Sequence, residues 1–220
     1  TLALSSDPSS GNATLSGTLT VAAVNGVATF NDISIDKAFT GYTLQASSGA
    51  LTSATTNSFN IIPAVKSQLT FDVQPSNTEY NASITPSIEV IIQDAYGNQT
   101  SDTDAITLAI DNNPGGATLG GTLTVSAENG KASFNDINLD SIGTGYTLNA
   151  AAAGLSGVTS DSFNITSIPT QLVITQGPTD AFNGSTISPA LTVEIRDASN
   201  NLVSDANNTV TVGFDTDPSA

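Results

Sequence analysis

The chain has 220 residues, of which 20 are acidic and only 4 are basic, and its formal net charge is −16 at pH 7. It contains no Cys and no His, which excludes disulfide bonds, zinc sites built on these ligands and catalysis by a His base. Because so few cations are available to neutralise phosphates, we expect no nucleic-acid partner. No apolar run approaches the roughly 20 residues that span a bilayer, so we expect no membrane insertion by this segment.

An internal repeat organises the whole sequence. Residues 13–35 (ATLSGTLTVAAVNGVATFNDISI) return as residues 117–139 (ATLGGTLTVSAENGKASFNDINL), offset by 104 positions. A second correspondence, offset by 103 positions, relates residues 85–98 to residues 188–201. A period of about 104 residues is a common length for a small domain, so the sequence predicts tandem domains.

The repeat boundaries divide the chain into three predicted segments. Residues 1–63 are the C-terminal part of one repeat, residues 64–168 are a complete repeat, and residues 169–220 are the N-terminal part of a following one. Because the chain starts without Met and both ends fall inside a repeat, we expect a window on a longer array. The alternative is a self-assembling subunit whose partial repeats are completed by neighbouring copies, through strand addition to an open sheet edge.

The complete repeat alternates apolar and polar residues with a period of two, which is typical of half-buried strands. Clusters of Asn, Asp, Gly and Pro separate the alternating segments, and none of the segments has helical spacing. The phase breaks between Phe134 and Ile137, which predicts a bulge or a strand end. Seven short strands in about 100 residues predict an all-β fold, a two-sheet β-sandwich. In chain order these strands are 67–74, 87–94, 105–110, 122–127, 130–139, 145–152 and 161–165.

A tyrosine at one position of the repeat sharpens this fold prediction. Tyr146 follows a Gly-Thr-Gly turn, and Tyr42 holds the same place in the preceding copy. This placement matches the tyrosine corner of immunoglobulin-like folds, whose hydroxyl bonds to upstream backbone. With IQDAYGNQT (92–100), IRDASNNLV (195–203) and the GYTLxA strands, the chain resembles the bacterial immunoglobulin-like repeats of invasin- and intimin-type surface proteins and giant tandem adhesins.

The resemblance implies tandem immunoglobulin-like β-sandwich repeats that form an extracellular stalk, spacer or fibre shaft. We expect no enzymatic reaction, because no pair of Glu residues shares a repeat position and the duplicated Asp residues lie in turns. Adjacent repeats or neighbouring copies of the chain are then the expected partners. The linkers 61–67 and 165–170 carry Pro63 and Pro169, whose fixed φ limits bending. Apolar linker residues are predicted to pack between adjacent domains: Ile62, Val65 and Ile168.

An acidic loop is a candidate calcium site. Calcium prefers carboxylate and carbonyl oxygens, and inter-domain calcium would stiffen a chain of sandwiches. EF-hand spacing is absent, and Asp94 precedes a turn where an Asx-turn alone explains it, so both interpretations stay open. No other cofactor is expected. The candidate ligands are Asp94, Asn98, Asp102 and Asp104.

Six N-x-[ST] motifs are candidate glycosylation sites of a surface fibre. The alternative is that they are unmodified turn residues in a chain rich in Asn, Ser and Thr. Their asparagines are Asn12, Asn81, Asn98, Asn164, Asn183 and Asn207.

A further alternative function is a module that binds surface glycans or proteins through aromatic side chains at outward-phased positions. These aromatic residues are Tyr80, Tyr96 and Phe182.

Overall fold

The computed structural model describes residues 1–198, 200–204 and 206–213. Every regular element within these residues is a β-strand, which confirms the all-β prediction. The same residues include no helix that is long and apolar enough to cross a membrane.

The first segment forms one small sheet and a separate two-residue ladder. Its strands are β1 (Leu2–Ser6), β2 (Leu15–Ser16), β3 (Ser34–Ile35), β4 (Thr40–Ala46), β5 (Ala54–Thr55) and β6 (Phe59–Asn60). β4 pairs antiparallel with β1, β5 and β6, while β2 pairs with β3. Among residues 1–63, all of which are described, Tyr42 is the one apolar side chain that is fully buried.

The complete repeat contains two larger sheets. Its strands are β7 (Lys66–Val73), β8 (Thr78–Glu79), β9 (Ile88–Asp94), β10 (Ala105–Asn112), β11 (Leu119–Gly120), β12 (Thr124–Ser126), β13 (Lys131–Phe134), β14 (Asn138–Leu139), β15 (Gly143–Ala152), β16 (Val158–Thr159) and β17 (Phe163–Thr166). One sheet has the order β13-β9-β7, and the other has the order β12-β10-β15-β17-β8 with β16 beside β15. β8 runs parallel to β17, and β11 pairs with β14.

The inward side chains of the two sheets form a single core, which is consistent with a two-layer sandwich. The β13-β9-β7 sheet contributes Leu69, Phe71, Ile88, Val90, Ile92, Ala132 and Phe134. The second sheet contributes Ile106, Leu108, Tyr146, Leu148, Ala150, Phe163 and Ile165. All of these side chains are at most 6% exposed. The period-two alternation of the sequence therefore identifies the buried face of each sheet.

Each of the seven predicted strands coincides with an observed strand. The predicted strand at 130–139 is divided into β13 and β14, and the interruption falls at the predicted break in phase between Phe134 and Ile137. The two-residue strands β8, β11 and β16 were not predicted, because two residues are too few to show an alternation.

The third segment repeats the first two long strands of the complete repeat. β18 (Gln171–Gln176) pairs antiparallel with β19 (Thr192–Arg196), as β7 pairs with β9. The predicted segment 169–220 is described only in part, because Ser199, Asp205 and residues 214–220 lie outside the described residues.

Candidate inter-repeat junction

The DAYGN loop after β9 is organised by one buried carboxylate. Asp94 is 1% exposed. Its Oδ1 accepts hydrogen bonds from the backbone N–H groups of Tyr96 and Asn98, both at 2.9 Å. Its Oδ2 accepts from the backbone N–H of Ala64 in the linker and from Nδ2 of Asn98, both also at 2.9 Å. The carboxylate thus fixes the loop and the linker that enters the repeat.

These hydrogen bonds act on the ionisation of Asp94. Burial disfavours the charged form, but the bonds from Asn98, Ala64 and Tyr96 together outweigh it, so the pKa of Asp94 lies below its usual value. The carboxylate is therefore ionised at neutral pH, with four N–H donors around its two oxygens.

In the preceding repeat, residues 36–38 form the segment that contacts this loop, and hydrogen bonds hold this segment in place. The Tyr42 hydroxyl donates to the carbonyl of Lys37 at 2.9 Å, which is the upstream bond of a tyrosine corner. The neighbouring residue, Asp36, is also held: its carboxylate accepts a hydrogen bond from the backbone N–H of Thr14 at 2.6 Å. Residues 36–38 are therefore held on both sides within their own repeat.

Asn98 connects the two repeats directly. Its Oδ1 accepts from the Ala38 N–H at 3.0 Å, and its Nδ2 donates to the Asp36 carbonyl at 2.8 Å. The Lys37 ammonium adds a third bond, to the carbonyl of Tyr96 at 2.8 Å. We call these three bonds the first junction clasp. They join the turn of one repeat to the tyrosine corner of the repeat before it.

At the second junction the loop has the same internal hydrogen bonds, but it does not bond to the preceding repeat in the same way. Asp197 accepts from the N–H and Nδ2 of Asn201 at 2.8 and 3.0 Å, and from the Ser167 hydroxyl at 3.1 Å. Tyr146 likewise donates to the Ser141 carbonyl at 2.8 Å. Among the described residues, however, Asn201 makes no hydrogen bond to residues 140–142. The side chains of Ser141, Asp197 and Asn201 instead line a small cavity between the repeats, together with Tyr80, Ile142, Ser167 and Leu202.

The linker residues behave differently from the prediction. The apolar side chains expected to pack between domains are exposed: Ile62 80%, Val65 85% and Ile168 47%. For Ile62 and Val65 the prediction was wrong, because the contacts described at the first junction are hydrogen bonds between polar backbone and side-chain groups. Ile168, at the second junction, lines a small pocket together with Tyr80 and Asp197. Pro63 is half-buried and Pro169 is exposed within these linkers.

The proposed calcium ligands make hydrogen bonds and an ion pair within the protein. Asp94 and Asn98 are committed to the loop and to the clasp. Asp104 forms an ion pair with Lys66, and the Asp102 carbonyl accepts from the Gly130 N–H at 3.0 Å. Within the described part of the chain, no three acidic side chains are grouped closely enough to hold a metal ion. The described geometry therefore favours hydrogen bonds and an ion pair over calcium coordination for these side chains.

The structure separates the glycosylation candidates into two groups. Both Nδ2 hydrogens of Asn98 are used in the junction, so a glycan on this atom would break the clasp. The Asn164 Oδ1 accepts from the Gly145 N–H at 2.9 Å, as Asn60 does for Gly41 at 3.1 Å, which gives Asn164 a role in the fold. The Nδ2 of Asn12 donates to the Ser9 carbonyl at 2.7 Å, although the residue is exposed. The remaining three are also exposed: Asn81, Asn183 and Asn207.

The three outward-phased aromatic residues do not form one surface. Tyr96 is 60% exposed in the junction loop and Phe182 is 88% exposed in the third segment, whereas Tyr80 packs partly against the core.

The sequence did not predict residues 36–38 as a contact site. Their only signal is Asp36, which recurs as Asp140 one repeat later. No protein-family model matches the chain, and no curated protein matches it.

Proposed function

We propose that this chain is a length of tandem immunoglobulin-like β-sandwich repeats from an extracellular fibre or adhesin stalk. Its role is mechanical and not enzymatic. The complete repeat closes its own core, and the first junction sets the direction in which this repeat continues from the one before it. The result is a long and stiff array. It holds the part of the protein beyond the repeats at a distance from the cell surface.

The first junction clasp is the observation that carries this proposal. It ties Asn98 and Tyr96 of one repeat to residues 36–38 of the repeat before it. Separately moving domains on a flexible linker need no such contacts. The clasp also uses groups that are already held in place within each repeat, so forming it orders few additional side chains.

The composition supports the same role. A net charge of −16 over 220 residues makes copies of the chain repel one another, which favours a dissolved, extended array over a collapsed one. The immunoglobulin-like assignment is supported by the tyrosine corners and by the two facing sheets of the complete repeat.

The stiffness is tested by spin-label distance measurements across the first junction. The chain contains no native Cys, so Thr52→Cys and Ser83→Cys place one label in each repeat at exposed positions. We expect a narrow distance distribution in the labelled parent chain. Adding Asn98→Ala removes two of the three clasp bonds, so we expect the distribution to broaden at least twofold.

Gln99→Ala is the matched control for this experiment. Gln99 is the next residue in the loop, but its amide donates to the Asn129 carbonyl within the same repeat, at 2.8 Å. We expect this variant to leave the distribution narrow. Equal widths for the parent chain and the Asn98→Ala variant would contradict a stiffening role for the clasp.

The location outside the cell is tested separately. A protease added to intact source cells should remove the epitope recognised by an antibody against residues 64–168, while a cytoplasmic marker survives. Retention of the epitope on intact cells, with loss after lysis, would contradict the extracellular stalk.

A further inference from the structure

A pair of parallel strands joins the first and last parts of the complete repeat. β8 and β17 pair with Thr78 opposite Ile165, and the Tyr80 N–H donates to the Thr166 carbonyl at 2.9 Å. Every other pair of strands in the described residues is antiparallel. Because β8 follows the linker that enters the repeat, after β7, and β17 runs into the linker that leaves it, this pair connects the two ends of the repeat.

Two side chains extend this pairing on the side where β8 begins. The Asn164 N–H donates to Oδ1 of Asn77 at 2.7 Å, and the Asp161 N–H donates to Oε1 of Gln74 at 2.9 Å. Both bonds join residues that are 87 positions apart. We call β8, β17 and the three hydrogen bonds that flank their ladder the terminal strand pair.

The chain directions decide how a pull on the two linkers acts on this pair. A pull through the entering linker reaches β8 at its first residue, Thr78, whereas a pull through the leaving linker reaches β17 at its last residue, Thr166. In a parallel pair these residues lie at opposite ends, so the strands are pulled past each other along their length and their bonds are strained together. In an antiparallel pair the same pulls would act at one end and would open the hydrogen bonds one after another.

The repeat can yield to such a pull at either end. If its first strands detach, β7 leaves β9 and β8 leaves β17. If its last strand detaches, β17 leaves both β15 and β8. The contact between β8 and β17 is broken in both cases, so it resists the pull whichever end yields.

Core packing opposes the same sliding of β17. Its side chains Phe163 and Ile165 are 1% and 2% exposed. A shift of this strand by one residue would exchange its buried and exposed faces. The strand therefore has no neighbouring register into which it can slip while it keeps its core contacts.

We propose that the terminal strand pair carries the mechanical load of the complete repeat and sets the rate at which this repeat unfolds under tension. The inference rests on the proposed function, a stalk that is pulled along its length, and adds the contacts that resist the pull. The lifetime of a folded domain under force follows its unfolding rate, and a contact affects this rate only if it is broken at the barrier.

A constant-force measurement on single molecules of the full chain tests this load path. Val65→Cys and Pro169→Cys place one handle at an exposed residue on each side of the complete repeat, in a chain without native Cys. Asn77→Ala then removes the acceptor of the Asn164 N–H from the terminal strand pair. We expect the repeat to unfold about fivefold faster under the pull, as the loss of one hydrogen bond of ordinary strength implies.

Asn112→Ala is the matched control. Asn112 is exposed like Asn77, and its Nδ2 donates to the Gly145 carbonyl at 2.6 Å, which joins β10 to β15. Neither of these strands is attached to a linker, so this bond is still present when the terminal strand pair breaks. We expect the unfolding rate of Asn112→Ala under the pull to stay within about twofold of the parent rate.

Denaturant unfolding without a pull separates load from ordinary stability. Both asparagine variants lose one hydrogen bond, so we expect similar losses of equilibrium stability from Asn77→Ala and Asn112→Ala. Gln74→Ala removes the other side-chain acceptor of the terminal strand pair and should also unfold about fivefold faster under the pull. Equal acceleration by Asn77→Ala and Asn112→Ala, or acceleration by neither, would overturn the inference.

This result is separable from the test of the proposed function. The spin labels at residues 52 and 83 report on the first junction, whereas the two handles flank the complete repeat alone. A narrow label distribution together with an unfolding rate that Asn77→Ala leaves unchanged would overturn the load path and leave the stalk standing. A broad label distribution together with faster unfolding of Asn77→Ala would contradict the stiff stalk and support the load path.

Discussion

Residues 1–61 and residues 105–165 are two copies of one sequence in two surroundings, since only the second copy is covered by another sheet. Their tyrosine corners are nevertheless alike. The hydroxyl bonds measure 2.9 Å for Tyr42 and 2.8 Å for Tyr146, and both side chains are fully buried. Each ring also meets a phenylalanine, with centroids 6.2 and 6.0 Å apart.

A second polar contact is also the same in the two copies. The Thr18 N–H donates to the Asp32 carboxylate at 2.9 Å, and the Thr122 N–H donates to the Asp136 carboxylate at 2.8 Å. The threonine hydroxyls add bonds of 2.7 and 2.8 Å. Both contacts join residues 14 apart in sequence, so each forms within its own copy of the repeat.

The burial of the apolar side chains differs between the two copies, although the polar contacts are the same. Phe134 is 1% exposed and lies in β13, while Phe30 is half-buried and lies outside any strand. The contrast separates two kinds of stabilisation. The turn and corner hydrogen bonds need only local chain, whereas strand β13 needs its neighbour β9, and the burial of its side chains needs the complete two-sheet core.

The largest expected difference is at this phenylalanine. Phe134→Ala should destabilise the complete repeat by about 3–5 kcal/mol, because it removes a fully buried ring and leaves a cavity. Phe30→Ala should cost about 1–2 kcal/mol, because the ring is already half in water. Denaturant unfolding combined with hydrogen exchange resolved along the chain, in dilute monomer, measures both. Equal losses would mean that residues 1–61 are covered in solution.

A smaller effect, equal in the two copies, is expected at a turn glycine. Gly17 has φ +109° and Gly121 has φ +98°, and a Cβ on either would lie 2.3 or 2.4 Å from the carbonyl oxygen of Asp32 or Asp136. Replacement by Ala should therefore cost about 1–3 kcal/mol in each copy.

Gly145→Ala is the control for the turn glycines. Gly145 also has positive φ, +87°, but a Cβ there would meet no atom within 4 Å. Only the conformational cost of about 1 kcal/mol remains. The same hydrogen-exchange measurement ranks the three variants. A large gap between Gly17→Ala and Gly121→Ala would show that the turn depends on the presence of strands β7 and β9.

The tyrosine corners should give a loss of about 1 kcal/mol each. Tyr42→Phe and Tyr146→Phe remove one hydrogen bond and leave the carbonyl of residue 37 or 141 without that donor. Burial raises the pKa of both phenols, which agrees with their position inside the fold. Tyr96→Phe changes an exposed hydroxyl and should be neutral. A loss confined to Tyr146→Phe would contradict the local nature of the corner.

The sequence predicted the features that repeat and alternate. Period-two alternation located β7, β9, β10 and β15, and the broken phase after Phe134 located the end of β13. The corner tyrosines were visible because Gly-Tyr-Thr-Leu recurs one period later. These signals are local, so a single sequence carries them.

The junction was not predictable in the same way. The sequence predicts Asn98 as a calcium ligand or a glycosylation site, because it shows the neighbours of Asn98 in the loop. It does not show residues 36–38, which lie about 60 positions away. Its partners in that segment are backbone groups, which carry no residue signature. Lys37, the one side chain of residues 36–38 that contacts the loop, is Ser141 in the next copy, so the repeat does not mark it.

The smallest expected effect is in the titration of the two turn aspartates. Hydrogen bonds from the Thr18 amide and hydroxyl hold the pKa of Asp32 below its usual value, and those from Thr122 do the same for Asp136. Since the folded pKa is lower than the unfolded one, each carboxylate stabilises its turn fully above the unfolded value of about 3.9. This stabilisation is lost as the pH falls through the folded pKa. Carboxyl-carbon NMR titration should find both values low and close together, because both groups are solvent-exposed and bonded alike. A normal pKa for Asp32 beside a low one for Asp136 would mean that even this local contact depends on the covering sheet.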